Sequence, residues 1–319
     1  MIPRRTFIQK TSLAGAAALL LPGCISNLKN PLKTMGIQLF TVPLSLSADV
    51  RSGLEQLAAM GFNQLELFGP YPFSDPANIT SWKAVTPMLG FDGSGYFGLS
   101  QTEFLNLART LGFSIPSMHT DLATLENNMD ALAEAAQAAG ATYLVLPSIP
   151  EEYRKDLDGY RSMADRFNKI GEKALERGVR FAYHNHGYGL KEKEGITPID
   201  LIFSGTDPQS VFFEMDIFWT MAGGADPISL IEKHPNRYKM MHLKDMKEQV
   251  YFAEDGDNPS EWIPLFPYMC SAGQGVVDWD RLITVAKTSG VEHFFVEQDM
   301  VANPEIALPQ SIEFLSKRL

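Results

Sequence analysis

The sequence predicts a (β/α)8 barrel, and three observations predict it. Eight short runs rich in aliphatic, aromatic and β-branched residues recur along the chain: TMGIQLFTV, NQLELF, SIPSMHTD, TYLVLPSI, VRFAYHNH, SVFFEMDIFW, YKMMHLKD and HFFVEQDM. Stretches with helical periodicity separate them, so strand and helix alternate as in a parallel α/β fold. Several runs also end in an ionisable residue, which in a barrel of this kind marks the face that carries chemistry. A doubly wound open sheet is the competing architecture. It usually carries a glycine-rich phosphate turn after its first strand, and QLFTVPLS has none.

Taken in order, the first run leads into a helix whose apolar positions are Leu54, Leu57, Ala58 and Met60. A later helix is marked by Leu125, Met129, Leu132 and Ala136, and the next by Tyr160, Met163, Phe167, Ile170 and Ala174. Gly61, Gly112, Gly140, Gly178 and Gly290 stand where these helices should stop. Two connections are long. Residues 69–100, after strand two, hold Tyr71, Phe73, Trp82, Phe91, Tyr96 and Phe97; residues 248–275, after strand seven, hold Tyr251, Trp262, Phe266 and Tyr268. Both follow strand C-termini. Their aromatic residues form either a wall or lid over a site, or a local loop core.

The chain of 319 residues is long enough for one large domain, and its 45% hydrophobic and 20% charged residues are ordinary for a globular protein. The net charge of −11 argues against nucleic acid as the partner. Arg4 and Arg5, then Phe7 and an apolar run from Leu13 to Leu21, resemble a twin-arginine export signal; the run is too short to span a bilayer. LPGC, ending at Cys24, resembles a lipobox, so a lipid anchor at Cys24 is the expected membrane contact. The expected organisation is a signal over residues 1–24, a tether over 25–32 and one barrel over 33–319, with the mature protein periplasmic or membrane-anchored. Cleavage removes three cations (Arg4, Arg5, Lys10) and no acid, taking −11 to −14, and leaves Cys270 without an intrachain disulfide partner.

The strand ends carry the functional signal. Strand two ends in Glu66, strand three in His119, strand five in His184 and His186, strand six in Asp216, strand seven in His242 and Lys244, and strand eight in Glu297. His184, Asp216, His242 and Glu297 come from four consecutive strands. Two imidazoles and two carboxylates suit Mn2+, Co2+, Zn2+ or Fe2+ and disfavour Ca2+. Side-chain alternation places Glu214 on the face of Asp216, one pleat deeper, as a partner to the ligands. His293 and His234 read as structural, the first opening strand eight and the second ending a helix.

From Lys33 to Leu319 the chain resembles the xylose isomerase-like TIM barrels, the sugar phosphate isomerase/epimerase group with inosose dehydratase-like and keto-sugar lyase-like members. GIQLF, LELF, HNH, FFEMDIFW, HLKDM, GQGVVDW and VEQD carry the resemblance. It implies that Asp216, His242 and Glu297 are metal ligands. Many relatives have Glu-Asn-His at the end of strand five, with the Glu on the metal; here His184 takes that place, and His186 is a neighbour that touches substrate. Glu297 then remains as the one carboxylate of the pair that family epimerases resemble using as two bases.

The reaction implied is removal of a proton next to a sugar carbonyl, through an enediolate stabilised by the divalent metal. Reprotonation gives an isomerase or epimerase; loss of a leaving group gives a lyase or dehydratase. Glu297, His119, His186 and Glu66 are the candidate acids and bases, and Lys244 holds a substrate oxygen. Export favours an unphosphorylated sugar or keto-sugar as the small-molecule substrate. Three other classes compete less well: an exported sugar-binding lipoprotein without catalysis, a metal-dependent phosphodiesterase on abasic DNA, which the charge opposes, and an oxidoreductase, which lacks a dinucleotide fingerprint.

Overall fold

The eight predicted runs each supply one strand of a closed parallel barrel: Gly36–Gln38, Gln64–Phe68, Ser114–His119, Tyr143–Leu146, Arg180–His184, Val211–Asp216, Tyr238–Leu243 and His293–Val296. Each strand pairs with the next, and the eighth pairs back onto the first, Gly36 opposite Phe295 and Ile37 opposite Val296. Closure leaves no unpaired edge. The molecule is described from a computed structural model that covers residues 34–319. The expected signal, tether and Cys24 lie outside the described residues.

The helices form where the apolar spacing places them and stop where the sequence provides a stop. Val50–Met60 starts on Asp49, whose carboxylate accepts from the Ser52 amide at 3.1 Å, and ends at Gly61 with φ of 107°. Leu157–Glu176 starts on Asp156 and buries Tyr160, Met163, Phe167, Ile170 and Ala174 against the barrel. One helix departs from expectation. The pattern from Leu125 to Ala136 covers two helices, Leu122–Asn127 and Met129–Ala139, broken at Asn128. The Asn128 side chain donates to the Phe73 carbonyl at 2.9 Å, and that tie outcompetes continued helix.

The barrel interior is layered. Tyr143, Val145, Ala182, Phe212, Met240 and Phe295 form an apolar plug at its lower end. Gly36 belongs to this packing, because a Cβ there would run into the Phe295 ring. Along strands five to eight, the residues two and four positions beyond the plug are polar. Register aligns them: His184 lies opposite Glu214, and Asp216 opposite His242.

The two aromatic connections have different fates. The first packs on itself: Phe68 meets Phe40, Trp82 and Phe97 with centroids 5.3–6.0 Å apart, and Tyr71, Phe91, Tyr96 and Phe97 are buried. It is a loop core. The second reaches the barrel mouth, where Trp262 stacks on His186 at 5.0 Å and 18°. No helix among the described residues is long and apolar enough to cross a membrane.

Asp245 anchors that second connection. Its buried carboxylate accepts from the amides of Met246 and Gly273 (each 2.8 Å), Gly275 (3.0 Å) and Val277 (3.3 Å), and from the Trp279 indole (2.9 Å). This explains the spacing of HLKDM and GQGVVDW: a Cβ on Gly275 would strike the Met246 carbonyl and the Asp245 carboxylate. Asp245→Asn turns one acceptor into a donor facing donors. It should destabilise the protein by about 2–3 kcal/mol, read as a lower urea midpoint at unchanged slope.

Candidate metal and proton-transfer site

Above the apolar plug, the inward residues of strands two, three, five, six and seven form one buried polar layer. His119 Nε2 lies 2.8 Å from Glu214 Oε2 and 3.1 Å from Glu66 Oε2. His242 Nε2 lies 2.5 Å from Glu66 Oε2, and His184 Nδ1 lies 3.1 Å from Glu214 Oε2. Ser117 donates to Glu66 Oε1 at 2.5 Å. Each of the two glutamates therefore backs one histidine that faces the mouth, Glu66 behind His242 and Glu214 behind His184, with His119 tying the two glutamates together. A carboxylate on one ring nitrogen fixes the tautomer and leaves the other nitrogen for a metal.

The mouth-side atoms converge in turn. Asp216, His242 and Glu297 each offer an atom within 4.8 Å of the others, and so do His119, His184, Glu214 and His242 in the layer beneath. His242 Nδ1 is 2.6 Å from Glu297 Oε2 and 3.8 Å from Asp216 Oδ2. His184 Nε2 is 3.8 Å from Asp216 Oδ2. The predicted quartet is thus a trio joined through Asp216 to His184, whose other nitrogen belongs to the deeper layer. Asp216 is placed twice over: Oδ1 caps the helix Ile217–Ala222 by accepting from the Trp219 amide at 2.9 Å, and Oδ2 faces the site. Asn185 supports it from the other strand. Its side chain donates to the Thr220 hydroxyl at 3.0 Å and accepts from the Asp216 amide at 3.4 Å.

The electrostatics of the layer are those of a cation site. Glu66 and Glu214 lie in the buried layer and Asp216, Glu297 and Asp299 at the mouth, where Lys244 is the permanent cation that faces the last three. Burial alone would depress His119, but Glu66 and Glu214 override it and raise its pKa to about 9. Burial likewise opposes the charged form of His242, which Glu214, Glu297 and Glu66 hold well above the ordinary imidazole range. Burial pushes Asp299 up to about 6 against the pull of Lys244. Buried carboxylates in this excess need added positive charge, from protonated imidazoles or from a divalent ion.

The donor set fits a divalent ion. Asp216, His242 and Glu297 converge within 4.8 Å, His184 Nε2 stands 3.8 Å from Asp216 Oδ2, and buried nitrogen and oxygen donors in this mixture suit a first-row transition metal.

His186 stands apart from these ligands. Its Nδ1 is 2.5 Å from the Pro147 carbonyl, which can only accept, so Nδ1 carries the proton and Nε2 the lone pair. Burial, then the neighbouring His184 and Lys244, hold its pKa well below the ordinary imidazole range, which keeps it neutral. Its ring is 4.8 Å from that of His184. Lys244 Nζ contacts Asp216 Oδ2, Glu297 Oε2 and Asp299 Oδ2 at 2.9, 2.7 and 2.8 Å. Of the predicted acids and bases, Glu297 and His186 lie at the mouth, while Glu66 and His119 lie in the layer beneath.

Comparison with known proteins agrees with this architecture. The family model described as xylose isomerase-like TIM barrel matches residues 54–318. The chain belongs to that family. Among curated relatives of this xylose isomerase-like barrel, the inosose dehydratase of Geobacillus thermodenitrificans is 30% identical over 148 residues, 44% of this chain and 49% of that protein. The inosose dehydratase of Clostridium tetani is 37% identical over 105 residues, 33% of this chain and 32% of the relative. The matches span about half the length of those relatives or less. A solved sugar phosphate isomerase/epimerase from Parabacteroides distasonis superposes with a TM-score of 0.68 at 22% identity, covering 89% of this chain and 98% of the other. The structure of the IolI protein, described with a bound zinc atom, superposes with a TM-score of 0.60 at 15% identity, covering 89% and 96%. At these identities the solved structures speak for the fold.

Sequence reasoning missed Asp299 and the support given by Asn185. Asp299 was findable, since it sits two residues past Glu297 as Lys244 sits two past His242.

Proposed function

We propose that this chain is a divalent-metal-dependent enzyme of the sugar isomerase/epimerase type that removes the proton next to the carbonyl of a sugar or keto-sugar. The observation that carries the reading is one mouth holding both parts of that chemistry. Asp216, His242 and Glu297 converge with His184 beside Asp216, and next to them stands a neutral histidine with an available lone pair. A divalent cation on those residues would supply Lewis-acid stabilisation of the charge that develops on the substrate oxygens. His186 Nε2 takes the proton, held in its tautomer by the Pro147 carbonyl and in its plane by Trp262. Lys244 donates to a substrate oxygen, and Glu297 is kept ionised by Lys244 and His242 against its burial.

A second reading, elimination from a keto-sugar or keto-glycoside, is favoured by the inosose dehydratase relatives and by the replacement of a carboxylate with His184 in the HNH motif. The test is conversion of keto-sugars in D2O with purified, metal-loaded protein, followed by NMR. Deuterium incorporated at the carbon next to the carbonyl supports both readings; a released leaving group selects elimination. Saturable sugar binding with no exchange would leave a non-catalytic binding protein.

We also propose export to the periplasm with a lipid anchor, on the strength of Arg4, Arg5, the apolar run and Cys24. Cys24→Ala should move the mature protein from the membrane fraction to the soluble periplasm. Unchanged membrane attachment would remove the anchor from the account.

A further inference from the structure

Lys244 and a cation bound at the mouth would draw on the same oxygens. Nζ lies 2.9 Å from Asp216 Oδ2 and 2.7 Å from Glu297 Oε2, and these two residues converge with His242 as candidate ligands. A carboxylate oxygen has lone pairs enough for both, but an ammonium and a divalent ion on one pair of oxygens face each other nearly in contact. In a buried site their repulsion is strong. Something must hold the ammonium in place against it.

Asp299 is the residue built to do so. Its Oδ2 is 2.8 Å from Nζ, it belongs to neither converging ligand group, and its side chain is only 10% exposed. The backbone that presents it is pinned on both sides to the segment after strand one. The Gln298 amide donates to the Thr41 hydroxyl at 3.3 Å, and the Met300 and Val301 amides donate to the Phe40 and Thr41 carbonyls at 3.2 and 3.1 Å. The Trp219 ring, 5.5 Å from Nζ, offers the ammonium a further favourable contact.

We propose that Asp299 is a positioning residue that holds the Lys244 ammonium beside the cation, so that both occupy the mouth together. The inference rests on reading the mouth as a cation site. Without Asp299 the ammonium has only Asp216 and Glu297 to lean on, and it then competes with the cation for them.

A double-mutant cycle on the full barrel tests this, with Co2+ as the probe, read by calorimetry and by its visible absorption. Asp299→Asn should weaken Co2+ binding by about tenfold or more. Lys244→Met in the same chain should restore it, because the loss passes through the ammonium. Asp299→Glu should bind like wild type. Circular dichroism checks folding, and Asp299→Ser, which leaves room for water, replaces the asparagine variant if that one does not fold. An equal loss from Asp299→Asn in the Lys244→Met background would mean that Asp299 acts on the cation through its charge alone, and overturns the proposal. So does the absence of any loss. Wild type that takes up no Co2+ overturns the cation reading as well, whereas an additive cycle on a wild type that binds overturns this inference alone.

Discussion

Asp216→Asn is expected to leave the fold in place and to remove divalent-cation binding and turnover together. The asparagine keeps an oxygen for the Trp219 amide, so the helix Ile217–Ala222 retains its cap, while the charge that faces His242 and Lys244 is lost. Binding should weaken by about 100-fold or more, and turnover should fall by about a thousandfold, as when preorganised charge is taken from developing negative charge. Asp216→Ala is the poorer probe, since losing the cap costs about 1 kcal/mol in addition. Chelation of the wild type should reproduce the loss of turnover, and added metal should reverse it. Wild-type cation affinity in the asparagine variant would mean that the ion sits elsewhere.

His186→Phe is expected to separate chemistry from cation binding. The phenyl ring preserves the stack on Trp262 and removes the nitrogen that carries the lone pair. Turnover and deuterium exchange should fall by about 10²- to 10⁴-fold, the usual worth of a positioned base, with cation affinity unchanged. The variant also informs the choice between reaction outcomes. If His186 is the single base, exchange and product formation fall in parallel for elimination and for transfer to the adjacent carbon alike. If a second group serves the opposite face, epimerisation falls with the loss of His186, while deuterium exchange without inversion survives for the epimer whose proton that group removes. A parallel loss of cation affinity would make His186 a ligand and remove it as the base.

The sequence by itself determined the barrel and the strand-end residues. The reason is periodic: strand residues alternate inward and outward, helices repeat every three to four residues, and both signals survive in a single chain. The capping glycines and the face of the helix Leu157–Glu176 were legible for the same cause. The break at Asn128 was not, because it depends on a carbonyl of Phe73 far away in sequence. In the site, alternation was enough to place Glu214 below Asp216. It could not say that His184 turns one nitrogen to Glu214 and the other towards Asp216, or that Glu66 and His119 lie beneath the mouth rather than in it. The sequence left the two aromatic loops equivalent, yet one folds into its own core and the other lays Trp262 on His186. These choices belong to the tertiary structure because hydrogen-bond partners, tautomers and burial depth are set by strands that meet across the barrel, and distance in space across a closed sheet is not written in distance along the chain.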